Sequence, residues 1–284
     1  MSTDTSLPSL KTTPVALGFA VAAVLAQITY PLVSGDTRDI VTFCVVALLA
    51  AACITHAASA RGVGWATVMV VVTAGIGLIA EIVGTRTGMP FGCYEYAQDR
   101  IGPSIATVPI VVPFAWTAGL YPVWTAATVA SRRFGRPVLT RIALTTVGVV
   151  GWDLYLDPQM VGEGQWTWCS PHAALPGLEG IPWTNYAGWL LVATLMACAM
   201  ELLGRRGRER AAATSPVVPW ALFLWTWLGS SLAHAVFLDG LGWSALYGLV
   251  AMGVVGVPFV RAVVTRRGGG IDLDAPRPLD RPVH

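Results

Sequence analysis

The stretch VGWATVMVVVTAGIGLIAEIVG, residues Val63–Gly84, carries one ionisable side chain, Glu81, in 22 residues. A run of about 20 apolar residues is long enough to cross the hydrocarbon core of a bilayer as a helix. Similar runs lie on both sides of it, at Pro14–Val33, Ile40–Ala60, Ile105–Ala130, Ile142–Leu156, Tyr186–Leu203, Val217–Leu238 and Leu241–Val263. None alternates polar with apolar, as the roughly 10-residue strands of a membrane barrel do. Composition agrees: 55% of the 284 residues are hydrophobic and only 12% charged, against about 25% charged in soluble domains. The fold class expected is all-α, a polytopic integral membrane helix bundle of about eight transmembrane helices. Residues 1–265 then form a single transmembrane domain. The first run, behind a short polar leader without a small-residue cleavage site, is expected to be retained. The tail, residues 266–284, with its glycines, prolines and aspartates, is expected to be disordered and cytoplasmic. A net charge of +2 gives no reason to expect a nucleic-acid partner.

Basic residues orient the bundle. Lys11, Arg61, the Arg132–Arg141 and Arg205–Arg210 clusters and the arginines from Arg261 onward put 15 of the 18 Lys and Arg on one side. Only Arg38, Arg86 and Arg100 fall on the other. By the positive-inside rule both termini are cytoplasmic. The segments Thr85–Ser104 and Asp157–Asn185 then face outward from the cell membrane.

Under this topology the third, fifth and seventh spans gather acids and a histidine near their outer ends: Glu81, then Asp153 and Asp157, then His234 with Asp239 beyond. Ionisable groups inside a span are costly and by default mark a functional site. Asp153 and Asp157 are four apart and share a helix face. Two close, desolvated carboxyls do not both ionise cheaply, so the pair can supply the neutral acid that protonates an unreactive substrate. Each residue also has a structural reading. Glu81 can bond a neighbouring helix, Asp157 before Pro158 can open a turn, His234 can be a satisfied core histidine, and Asp239-Gly240 reads as a tight turn. Glu201, near the inner end of its span, is expected to snorkel.

The two outer loops echo each other. Gly92-Cys93-Tyr94-Glu95-Tyr96 and Gly164-Gln165-Trp166-Thr167-Trp168 both read Gly-x-aromatic-x-aromatic. In extended chain Tyr94 and Tyr96 share one face, as do Trp166 and Trp168. Such rings can form an interfacial belt or a wall that stabilises a cation and packs against a flat conjugated chain. Cys93 and Cys169 fall in the two outer loops, where the environment permits a disulfide but does not require one; Cys44, Cys53 and Cys198 lie in spans. No metal, phosphate-loop or nucleophile-elbow motif is present, and His56 and His172 stand alone.

The stretch Glu81-x-x-Gly84-x-x-Thr87-Gly88-x-Pro90-Phe91-Gly92-x-Tyr94-x-Tyr96 resembles the signature of the membrane carotenoid-biosynthesis protein family. That family includes bisanhydrobacterioruberin hydratases and γ-carotene 1'-hydroxylase-type hydratases. Asp153-Leu154-x-x-Asp157-Pro158-x-Met160-x-x-x-Gly164-x-Trp166-x-Trp168 and Gly180-Ile181-Pro182-Trp183-x-Asn185-Tyr186-x-Gly188-Trp189 follow in order. The resemblance spans Gly77 to Trp189. It implies a carbon–oxygen lyase that adds water, without a cofactor, across a terminal C=C of an acyclic C40 or C50 carotenoid end. The partners it implies are a carotenoid in the bilayer, membrane lipids and other enzymes of the pathway. Asp153 or Glu81 is then the proton donor and Asp157 the water-holding carboxylate, with Glu95 a substitute for either. Phe91, Tyr94, Tyr96, Trp166, Trp168, Asn185 and His234 would face the substrate. A membrane cyclase using the same cation chemistry, a transporter of isoprenoids or lipids, and a scaffold remain alternatives.

Overall fold

Every apolar run folds as a helix in the computed structural model, which describes residues 13–98, 100–169, 173–206 and 214–268. In chain order these are α1 (Pro14–Thr29), α2 (Gly35–Arg61), α3 (Val63–Thr87), α4 (Val111–Ala130), α5 (Pro137–Gly162) and α6 (Trp183–Arg206). The seventh rod is α7 (Val217–Leu224) and α8 (Ser230–Val236), joined by a π-helical turn, Trp225–Gly229; α9 (Gly242–Gly268) is the eighth. The molecule is an all-α membrane bundle. Lys11, His172, Arg208, Arg210, Arg277 and Arg281 lie outside the described residues, as do residues 269–284 of the expected tail.

Among the described residues five helices, α1 with its terminal turn, α2, α3, α6 and α9, are by themselves long and apolar enough to cross a membrane. The others are filled differently because of where they sit. Fifteen of the twenty residues of α4 are buried, and it packs on α2, α3, α5, α7 and α9. A helix shielded from lipid can exchange aliphatic side chains for Trp, Tyr, Thr and Pro, and α4 does. Between α5 and α9 the backbones approach closely through small residues. A Cβ on Gly151 would lie 2.8 Å from the Met252 backbone nitrogen, and one on Gly248 would strike the Tyr155 ring at 2.3 Å.

Two boundaries differ from expectation. The fourth span begins at Val111 rather than Ile105, because Ser104–Ile105 (β2) and Val108–Pro109 (β3) form a small antiparallel ribbon. The fifth is a full 26 residues rather than a short run, and Asp157-Pro158 opens no turn. Proline removes the bond to the carbonyl four residues back, here that of Leu154. The Ser244 hydroxyl, reaching over from α9, donates to that carbonyl at 2.6 Å, so the helix continues. In α4, Pro122 frees the Ala118 carbonyl in the same way, and the Cys53 thiol faces it at 3.9 Å.

The echoing loop motifs pair with each other. Tyr94–Tyr96 (β1) lies antiparallel to Trp166–Trp168 (β4), with Tyr94 opposite Trp168 and Tyr96 opposite Trp166. Gly92 and Gly164 enter these strands with φ of +100° and +68°, a conformation that glycine adopts without steric cost. Cys93 and Cys169 are joined by a disulfide, which ties the two strands of the ribbon together at the end of the bundle where Glu81 and Asp157 lie.

Candidate active site

The matched spacing of the two motifs has a geometric consequence. In both strands the aromatic residues are buried and the residue between them is exposed, so all four rings face inward. Tyr94 contacts Trp168 with 5.6 Å between ring centroids, and Tyr96 contacts Trp166 at 5.5 Å. Glu95 points the other way and is exposed. It cannot replace the buried carboxylates, because alternation along the strand turns it from the site.

Beneath the ribbon, Glu81 is 5% exposed and accepts three hydrogen bonds. The Tyr94 and Tyr96 hydroxyls donate to Oε2 at 2.5 and 2.8 Å, and the Trp116 indole N–H donates to Oε1 at 3.2 Å. Burial first, then the adjacent carboxyl of Glu81, holds both tyrosine phenols well above their ordinary pKa, so they remain donors. Both phenols and the indole N–H thus converge on one buried carboxyl. Trp116 stacks on Trp189 at 3.9 Å and rests on Gly77, where a Cβ would approach its ring to 2.5 Å.

Across the chamber, one Asn185 amide group bridges the aspartates. Its Nδ2 donates to Asp157 Oδ2 and, at 3.2 Å, to Asp153 Oδ2. The two carboxyls are 0% and 3% exposed, and among the described residues no donor meets Asp153 Oδ1. The pair expected from the four-residue spacing is therefore real, but its members are not equivalent. Asp157 and Glu81 line a cavity of about 180 Å³ together with Phe91, Tyr94, Trp166 and Asn185; Asp153 sits behind Asp157. His234 also lines the cavity, tied on both ring nitrogens, Nδ1 to Ser244 at 2.8 Å and Nε2 to the Gln159 amide at 3.0 Å. It is a satisfied histidine with one edge on the chamber. Asp239 is exposed in the turn before α9.

Three features were not legible in the sequence. Trp116 and Trp189 look like ordinary span tryptophans until stacked. Asp39, at the start of α2, is buried under a polar network at the rim. Arg100 holds it through Nε and Nη2 at 3.0 and 2.9 Å, and Gln165 donates to it at 2.5 Å. Arg38 pairs with Glu163 beside it and lies over the Tyr30 ring. Two of the three basic residues at this end are thus committed to neutralising acids. Glu201, at the opposite end, does not snorkel: it is buried 4% exposed and paired with Arg141, whose Nε lies 2.6 Å from its Oε2. An ion pair between α5 and α6 satisfies it more fully than a reach to water. His56 likewise has partners, the Tyr121 hydroxyl and the Ser215 carbonyl.

Comparison with known proteins adds the chemistry of relatives. The bisanhydrobacterioruberin hydratase of Haloarcula japonica is 29% identical over 193 residues, 60% of this chain, and the chain spans 64% of that protein's length. No solved structure matches. The family model for carotenoid biosynthesis proteins matches residues 41–255, a range that includes Glu81, the aromatic ribbon, both aspartates, Asn185 and His234. The chain belongs to the carotenoid biosynthesis protein family.

Proposed function

We propose that this protein is a carotenoid hydratase, adding water across the terminal C=C of an acyclic C40 or C50 carotenoid end group to give a tertiary alcohol. The observation that carries this reading is one aromatic cavity with a bridged aspartate pair on one wall and a triply hydrogen-bonded carboxylate on another. Asp157, sharing a proton with Asp153, delivers it to the less substituted alkene carbon, and the C=C electron pair forms the new C–H bond. The tertiary cation left behind faces the Glu81 carboxylate and the rings of Tyr94, Tyr96, Trp166 and Trp168, whose π faces favour cations. Water adds its oxygen to the cation, and the proton it loses restores the aspartate pair. The tyrosines and Trp116 hold Glu81 in place, so that its charge is oriented before the cation forms. His234 and Gln159 supply the polar edge beside which water enters.

Expression in hosts that accumulate lycopene or a longer acyclic carotenoid tests the reading directly. The expected pigment gains the mass of one water per reacted end. A product of unchanged mass with an altered spectrum would make the protein a cyclase. An unaltered pigment profile across several substrates would support a transporter or scaffold.

We place the protein in the cell membrane with the aromatic ribbon outside, on two grounds that do not depend on each other. Among the described residues Arg61, Arg132, Arg133, Arg136, Arg141 and Arg261 lie toward the opposite end, and the disulfide sits at the ribbon end, which suits an oxidising compartment. In a background with Cys44, Cys53 and Cys198 replaced by alanine, Glu95→Cys should react with a membrane-impermeant maleimide on intact cells. Phe134→Cys, between α4 and α5, should react only after lysis; the opposite pattern reverses the topology.

A further inference from the structure

The chamber is too small for its proposed substrate. A dry cavity of about 150 Å³ accommodates a molecule the size of benzene, so 180 Å³ holds an end group and little more. A carotenoid is comparable in length to the hydrocarbon core, about 30 Å. Nearly all of it must therefore lie outside the chamber.

The aromatic ribbon lies over one end of the cavity, and the Trp116–Trp189 stack, with Trp152 edge-on to Trp189 at 5.7 Å, lines the side formed by α4, α5 and α6. The remaining wall is different. The cavity lining continues to Gln27 and Pro31 at the end of α1, and to Trp225, Thr226 and Gly229 on the seventh rod. Here α1 packs along α2 and only lightly against α7. The rod itself departs from α-helical geometry in this stretch, the π turn Trp225–Gly229, of which no residue is fully buried. Such a turn bulges the helix wall and is frequently found at functional sites. A polar contact spans the gap, the Trp225 indole N–H donating to Gln27 Oε1 at 2.8 Å. On the far side Val45, Val46 and Leu49 of α2 give an apolar floor.

We propose that the chamber opens sideways into the bilayer between α1 and the π turn of the seventh rod, and that the polyene runs out through this portal, with Gln27 and Trp225 as its latch. The portal admits a long acyclic isoprenoid end-first from the lipid, while water enters from the other direction, beside His234 and Gln159. This rests on the carotenoid reading above. The portal sets chain-length selectivity: substrates short enough to sit within the chamber do not need it.

The test uses the full chain in lipid nanodiscs. Thr226→Trp, a plug in the portal, should lower turnover of a C40 acyclic carotenoid by about tenfold or more, as expected for a misplaced reacting end. It should leave largely unchanged the turnover of a C10 isoprenoid carrying the same terminal double bond. Equal losses on both substrates, or on neither, overturn the portal. In a second arm, a photoreactive benzoylphenylalanine at Thr226 should capture the bound carotenoid, whereas the same group at Val254, on the lipid face of α9, should not. Hydration by the wild type without capture at Thr226 means that the chain leaves elsewhere. Capture without hydration keeps the portal and removes the hydratase reading. Neither capture nor hydration overturns both.

Discussion

Asp157→Asn is expected to lower hydration by about 10²–10⁴-fold, the usual contribution of a positioned general acid. The substitution is nearly isosteric, and the new amide oxygen can still accept from Asn185, so the bundle should keep its helical content and detergent stability. The loss should fall on kcat, because the carboxyl adds little to the binding of an apolar chain. Asp153→Asn is expected to act less directly. Asp153 bonds Asp157 directly, shares the Asn185 amide with it, and does not line the cavity. It is a positioning residue, and its replacement should change the pH profile of turnover along with its rate. Wild-type turnover in Asp157→Asn, measured as hydrated product in isolated membranes, would remove the aspartate pair from the mechanism.

Glu81→Gln is the second large effect, a loss of about 10²–10³-fold, comparable to removing one preorganised charge-stabilising group from an active site. Glutamine offers one acceptor oxygen where three donors now converge, and its own amide N–H groups would face two phenols that already donate. Leaving a buried donor unpaired costs about 1–3 kcal/mol, so the ribbon over the chamber should loosen as well. Tyr94→Phe combined with Tyr96→Phe separates the two effects. It removes the donors but keeps the rings and the carboxylate, and should cost distinctly less activity than Glu81→Gln. If the double tyrosine variant were as inactive as Glu81→Gln, the donors that hold the carboxylate would matter as much as the carboxylate itself.

The placement of Asp153 shows how far a spacing argument reaches. Four residues on a helix put two carboxyls on one face, and Asn185 does bridge them. Which of the two meets the chamber depends on how α5 is rotated against α6 and α9, and no local pattern encodes that rotation. The aromatic motifs were more informative than their lengths suggest. Strand alternation alone put the rings of each motif on one face; that Glu95 turns away from the site, against its reading as a substitute carboxylate, came with the folded strand. What it left open was that the two faces belong to a single ribbon. Pro158 misled for a related reason. A proline normally marks a break, and the rescue of the Leu154 carbonyl comes from Ser244, ninety residues later.

Membrane residence, the number of rods, the basic and acidic ends and the aromatic faces were all readable from the chain. They follow from run length, charge distribution and two-residue alternation, which are properties of neighbouring residues. The three-donor cage around Glu81, the withdrawal of Asp153 behind Asp157, the Trp116–Trp189 wall, the Asp39–Arg100 rim and the sideways opening at the π turn were decided by tertiary structure. Each joins side chains on helices whose relative rotation and depth are set by packing across the whole bundle. Hence the acid layer that began as a shared depth on three spans is, in the folded protein, two carboxylate walls facing one small room.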